Sequence, residues 1–113
     1  MNLNQYQKHA HATAIYPHKS TTQTLAYVAL GLAGEAGEVA NQVKKIIRDD
    51  KGKLTVERYK KLVDELGDCL WYLAEFCTVI PNFPTSLNSI ALGNLKKLLT
   101  RKKQGKLNGD KRV

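Results

Sequence analysis

Long apolar runs are missing from this chain: no stretch of its 113 residues approaches the ~18 to 20 needed to cross a bilayer. The opening residues Met1-Asn2-Leu3-Asn4-Gln5 also lack the basic-then-apolar layout of a signal peptide. A soluble protein in the cytoplasm, with no membrane partner, is therefore the expectation. Cysteine is scarce as well. Cys69 and Cys77 are too few for a disulfide framework, and on one helix they would stand ~12 Å apart, beyond disulfide reach. They read as reduced, packed thiols. No closely spaced Cys and His ligands offer a zinc site, so His9, His11 and His18 read as ordinary packed or solvent-facing side chains. Strand signals, internal repeats and low-complexity tracts are absent, which makes the chain all-α. No Cys, Ser or His nucleophile is evident either, so any hydrolysis here would use attack by water.

What is present suits one small domain over 1–113, with a basic tail from about 104 to 113. Apolar residues make up 42% of the sequence, enough for a globular core. Eighteen basic against ten acidic residues give a formal net charge of +8, much of it in Lys96, Lys97, Arg101, Lys102, Lys103, Lys106, Lys111 and Arg112. Such an excess attracts polyanions of several kinds: nucleotides, nucleic acid or a charged surface.

Periodicity predicts four helices. The first runs from about Leu3 to Ile15 and ends before Tyr16-Pro17, because the residue before proline avoids the helical region. Ser20 to Gln23 supply N-caps for a long second helix, on which Leu25, Val28, Leu32, Ala36, Val39, Val43 and Ile46 form a core stripe. Glycines at 31, 34 and 37 inside it cost roughly 1 kcal/mol each relative to alanine and predict close approach by a backbone or a ligand. Arg48 to Lys53 read as a turn, and Thr55 as the cap of a third helix. Its stripe is Tyr59, Leu62, Leu66, Leu70, Leu73 and Cys77, and Pro81 and Pro84 end it. A fourth helix spans about Thr85 or Ser86 to Lys103, with Asn94, Lys97 and Arg101 on one face. The expected architecture is a four-helix-type bundle with a long antiparallel helix hairpin, assembled as a homo-oligomer so that the apolar flanks are covered.

Two acidic pairs carry the chemistry. Glu35 and Glu38 are three apart on the second helix, and Glu65 and Asp68 repeat the spacing on the third, so each pair shares a helix face. If the two helices fold back about Gly52, Glu38 lies 14 residues before it and Glu65 13 after, while Glu35 lies 17 before and Asp68 16 after. At the helical rise, facing acids then differ in height by only about 1.5 Å. Four carboxylates at one level repel one another unless protonated or bridged by a cation, and hard cations such as Mg²⁺ favour an oxygen cage of this kind. Spacing alone leaves open the ordinary alternative, surface acids paired with lysines.

The motifs around these acids decide more. Leu30-Gly31-Leu32-Ala33-Gly34-Glu35-Ala36-Gly37-Glu38-Val39, Glu65-Leu66-Gly67-Asp68-Cys69-Leu70-Trp71-Tyr72-Leu73, Asn94-x-x-Lys97-Leu98-x-x-Arg101-x-x-x-Gly105 and Gly109-Asp110-Lys111-Arg112 together resemble the MazG-like all-α nucleoside triphosphate pyrophosphohydrolases. The resemblance covers about Tyr6 to Arg112. It implies Mg²⁺-dependent hydrolysis, with Mn²⁺ as a substitute, of a (deoxy)nucleoside triphosphate to the monophosphate and pyrophosphate. It also implies homodimers or homotetramers with sites near subunit interfaces. By position, Glu35, Glu38, Glu65 and Asp68 would hold the metal, and Asn94, Lys97 and Arg101 would contact the phosphates. Glu35 or Glu38 is the expected general base on water. Tyr72 shares the acids' face and is the candidate base or ribose contact, while Trp71 is expected to pack between helices or subunits.

Two other readings compete. A nucleic-acid-binding module using the basic fourth helix and tail would leave the acids unexplained, and acids in a binding groove would repel phosphate. A helical partner protein without catalysis would have no use for all four acids.

Overall fold

The computed structural model describes residues 1–17 and 21–105. Among them are four helices and no strand: α1 (Leu3–His11), α2 (Thr21–Asp49), α3 (Val56–Val79) and α4 (Leu87–Lys103). The all-helical reading holds. His18, the capping role expected of Ser20, the Gly109 to Arg112 motif and the basic tail beyond Gly105 lie outside the described residues.

Local chemistry sets the helix ends. Asn2 and Gln5 exchange two 2.8 Å bonds in a capping box at the start of α1. Thr55 accepts from the Arg58 backbone N–H at 3.1 Å and caps α3, as expected. Ser86 caps α4 in a reciprocal pair with Ser89. Ile80 adopts extended geometry before Pro81, which stops α3. The link from α2 to α3 passes through left-handed backbone at Lys51 and Gly52, φ 56° and 75°, and glycine at the second position accommodates it without strain.

α1 is shorter than its periodicity predicts. It stops at His11 because Thr13 turns both its N–H and its hydroxyl onto the Ala10 carbonyl, at 3.0 and 2.7 Å. The chain leaves the helix there and carries Tyr16 into the interior.

α2 and α3 make the most extensive helix contact. The Arg58 guanidinium clamps them at one end, bonding Asp50 through Nε at 2.8 Å and Gln42 Oε1 through Nη1 at 3.1 Å. Further along, Glu65 meets Glu35, and Tyr72 lies against Gly31. Partners thus step toward the start of α2 as they step toward the end of α3.

The centre of the core lies elsewhere, where α1, α3 and α4 converge on buried Ala10, Ala74, Cys77 and Leu87, with Tyr6 and Trp71 packed against them. Trp71 donates to Thr13 Oγ1 at 2.9 Å, a packing role between segments as expected. Gln7 joins this junction to α4 by accepting from the Leu87 N–H at 2.8 Å and donating to the Thr85 carbonyl at 3.2 Å. α4 is docked through this first turn. Beyond it, Ile90, Leu92, Leu95 and Leu99 stay about half exposed.

The two core stripes are only partly buried within the chain. Val28 is fully enclosed, and Leu25, Leu32, Val39 and Ile46 are half covered. Val43, Ile47, Tyr59, Val63, Leu66, Leu70 and Leu73 remain 37–72% exposed. Two helices side by side cover only one flank of an apolar stripe that is more than about 100° wide, and the other flank faces outward. The radius of gyration, 17.0 Å against about 13 Å for a compact chain of this length, reflects that open layer.

Candidate functional site

The acids sit where α2 and α3 run together, on the side of the pair opposite the exposed apolar flank on a helical wheel. Glu35, Glu65 and Asp68 each bring a carboxylate oxygen within 4.8 Å of the others. Glu35 and Glu65 lie half-buried, and Asp68 is exposed. The Glu35 carboxyl is held above the usual carboxylate range, first by burial, then by the charges of Asp68 and Glu65 and by a hydrogen bond to Glu65. A cation among these carboxylates would offset their mutual repulsion.

Glu38 stands outside this group of three. Its charge reaches Glu35, yet its side chain is exposed. Of the two pairs matched in height, Glu35 with Asp68 is found together, whereas Glu65 lies beside Glu35 and Glu38 falls outside the group.

The three carboxylates fit a hard divalent cation. Oxygen ligands at about 2.1 Å in octahedral geometry stand roughly 3 Å apart when adjacent and 4.2 Å when opposite, so small side-chain adjustments suffice to close this set. The donor set is all oxygen, with no nitrogen or thiolate among the three, which suits Mg²⁺ or Mn²⁺ over softer ions. Cys69 borders the cluster, but burial first and then Glu35, Asp68 and Glu65 push its thiol up, leaving it protonated and inert. Both cysteines are free, as their spacing required.

Tyr72 does share this neighbourhood. Its hydroxyl is pushed above the ordinary tyrosine value by burial, then by Tyr27 and Glu35, and it hydrogen-bonds Tyr27. The ring lies so close to α2 at Gly31 that a Cβ there would fall inside it. A β-carbon at Gly34 or Gly37 would meet nothing within 4 Å, so the close approach expected at three glycines occurs within the chain at Gly31 alone. Asn94 and Lys97 are exposed on α4, and Arg101 is half-buried there. The described packing of α4 is on α1 and α3.

Sequence reasoning overlooked four neighbours. Tyr6 of α1 is pushed up by burial and by Asp68, which brings α1 to the edge of the site. Tyr27 stacks on Tyr16 with ring centroids 5.1 Å apart. Glu75, completely buried, accepts from the Tyr16 hydroxyl at 2.6 Å and faces His11 Nδ1 at 3.2 Å. Glu75 lies seven residues after Asp68 on the same face of α3, the one local sign that could have flagged it.

Among its described residues the chain is all-helical, and it gathers three carboxylates from two adjacent helices around one point. The family is specific. Residues 23–105 match the model of the MazG nucleotide pyrophosphohydrolase domain, and the chain belongs to that family. It is also similar to the Gene 37 protein of Mycobacterium phage L5, 42% identical over 112 residues that cover 96% of each chain. No solved structure matches it. No helix among the described residues is long and apolar enough to cross a membrane.

Proposed function

We propose that the protein hydrolyses a (deoxy)nucleoside triphosphate to the monophosphate and pyrophosphate in a Mg²⁺-dependent reaction, with Mn²⁺ able to substitute. The observation that carries this reading is the convergence of Glu35, Glu65 and Asp68, from two helices, on one point within a MazG domain. These three would hold the cation, with Glu38 at the margin as a fourth ligand. A bound divalent ion supplies charge neutralisation for the triphosphate and lowers the pKa of water. Glu35 and Glu38 are the candidate general bases for the attacking water, and Glu38 is the more exposed of the two. Glu35, nearer Glu65 and Asp68, serves in binding. Asn94, Lys97 and Arg101 offer a donor and two cations for the phosphates and for charge on the pyrophosphate leaving group. Tyr72 contacts the base or ribose.

We read α2 and α3 as an antiparallel hairpin and the working form as a homodimer or homotetramer. The unburied flanks on α2 and α3 support association, because both are apolar and lie on one side of the helix pair. Association would also let α4 of a second copy bring its cations to the acids.

The test is a panel of NTPs and dNTPs with Mg²⁺, scored for pyrophosphate release. Glu38→Gln should abolish turnover with the helical circular-dichroism signal intact. Orthophosphate in place of pyrophosphate, or turnover untouched in the variant, refutes the assignment.

A further inference from the structure

Four aromatic side chains close a ring beside the acid cluster. Tyr27 stacks on Tyr16 at an interplanar angle of 18°. Tyr16 meets Trp71 edge-on with centroids 6.2 Å apart, and Trp71 meets Tyr72 edge-on at 5.0 Å. Tyr72 returns to Tyr27 through the hydrogen bond between their hydroxyls. Three of the four are held firmly. Tyr16 is buried and fixed by its 2.6 Å bond to the enclosed Glu75. Trp71 is tied to Thr13, and Tyr72 is seated in the gap that Gly31 leaves in α2.

Tyr27 is the outward member, 42% exposed. One face of its ring is covered by Tyr16, so the surface it presents is the other face and edge. It stands eight residues before Glu35 on α2, about 12 Å along the axis, with Gly31 midway. A flat, pre-positioned π surface at that distance from a phosphate-directed carboxylate cluster matches the span of a nucleotide from its phosphates to its base.

We infer that Tyr27 is the platform on which the nucleobase of the substrate stacks, with Tyr16 behind it and the ribose lying over Gly31 and Tyr72. This rests on the hydrolase reading above and adds to it a contact for the half of the substrate that the acids do not touch. Stacking recognises the π face that all bases share, so Tyr27 supplies affinity for a nucleoside without selecting among bases. The ring is already immobilised by its neighbours, so binding orders little that is not ordered beforehand.

The experiment titrates the full-length protein, in Mg²⁺, with a non-hydrolysable nucleoside triphosphate analogue and separately with inorganic tripolyphosphate, using calorimetry. Tyr27 is exposed, so Tyr27→Ala keeps the fold. It should weaken the nucleotide by about 5- to 150-fold, the worth of one base–aromatic stack, and leave tripolyphosphate unchanged. Tyr27→Phe should retain nucleotide affinity, because the ring face is what binds. Unchanged nucleotide affinity in Tyr27→Ala, or equal weakening of both ligands, overturns the platform. A wild-type protein that binds tripolyphosphate as tightly as the nucleotide also overturns it while leaving the phosphate site standing. One that binds neither overturns the hydrolase reading and the platform with it.

Discussion

Alanine substitution at the glycines of α2 separates a packing constraint from a mere helix defect. Replacing glycine by alanine in a helix interior gains ~1 kcal/mol, because glycine loses the most backbone freedom on folding. At Gly34 and Gly37 the added Cβ meets no atom within 4 Å, so the gain should be realised in full. For a chain of this size ~1 kcal/mol corresponds to about 4 °C in Tm. At Gly31 the Cβ would occupy the Tyr72 ring, and overpacking of that kind costs ~1–3 kcal/mol. Gain and cost together place Gly31→Ala between neutral and ~2 kcal/mol destabilising, and the gap between it and Gly34→Ala at ~1–3 kcal/mol. Urea denaturation followed by circular dichroism, at one fixed protein concentration and without Mg²⁺, measures that gap. Tyr72 should also be displaced from Tyr27, so nucleotide affinity should fall in Gly31→Ala alone. If all three variants stabilise equally, Tyr72 is not seated on α2 and the reasoning fails.

Two further outcomes follow from the acids and from the open flank. Because the Glu35 carboxyl is raised in the folded chain, the folded state holds a proton that the unfolded state has lost, between the ordinary carboxylate pKa and the raised one. This carboxyl therefore makes metal-free stability fall as pH rises through that window. Glu35→Gln should remove the decline, raise metal-free Tm above the window and shrink the Tm increase produced by Mg²⁺. Thermal melts of both proteins from about pH 4 to 7 test it, and a variant less stable than wild type above the window refutes it. Leu66→Lys, in the middle of the exposed flank, should convert an oligomer to the 12.6 kDa monomer in light scattering with helix content kept, and an unchanged mass would remove that flank as the interface.

Helix identity and the acid cluster were legible in the sequence because they depend on local rules. The rise per residue is fixed, so counting from Gly52 was enough to bring Glu35 level with Asp68, while it set Glu38 opposite Glu65, where the structure has Glu35 beside Glu65. Burial was less legible. Leu66 and Leu70 carry the same period as Cys77, but only the last lies where α1 and α4 converge. The burial of Glu75 was not legible because its reason is Tyr16, 59 residues away across a turn that Thr13 creates. A carboxylate on a helix normally signals solvent, and only a tertiary partner reverses that expectation.

Gln7 has a bearing on the order of assembly. Its bonds to Thr85 and Leu87, with the one the Asn88 N–H donates to Asn4 Oδ1, join residues roughly eighty positions apart, whereas the Arg58 clamp joins neighbours separated by 8 and 16. Loop closure rises in entropic cost with the length enclosed, so the α2–α3 pair can form on its own contacts while α1 and the start of α4 must wait for it. The same ranking runs in reverse when the molecule opens. If so, α1 and the start of α4 should open below the global unfolding free energy, and native-state hydrogen exchange should find their amides less protected than those between Gly31 and Gln42. The acids would then outlast the aromatic ring beside them, since Tyr16 is held by the segment that leaves first.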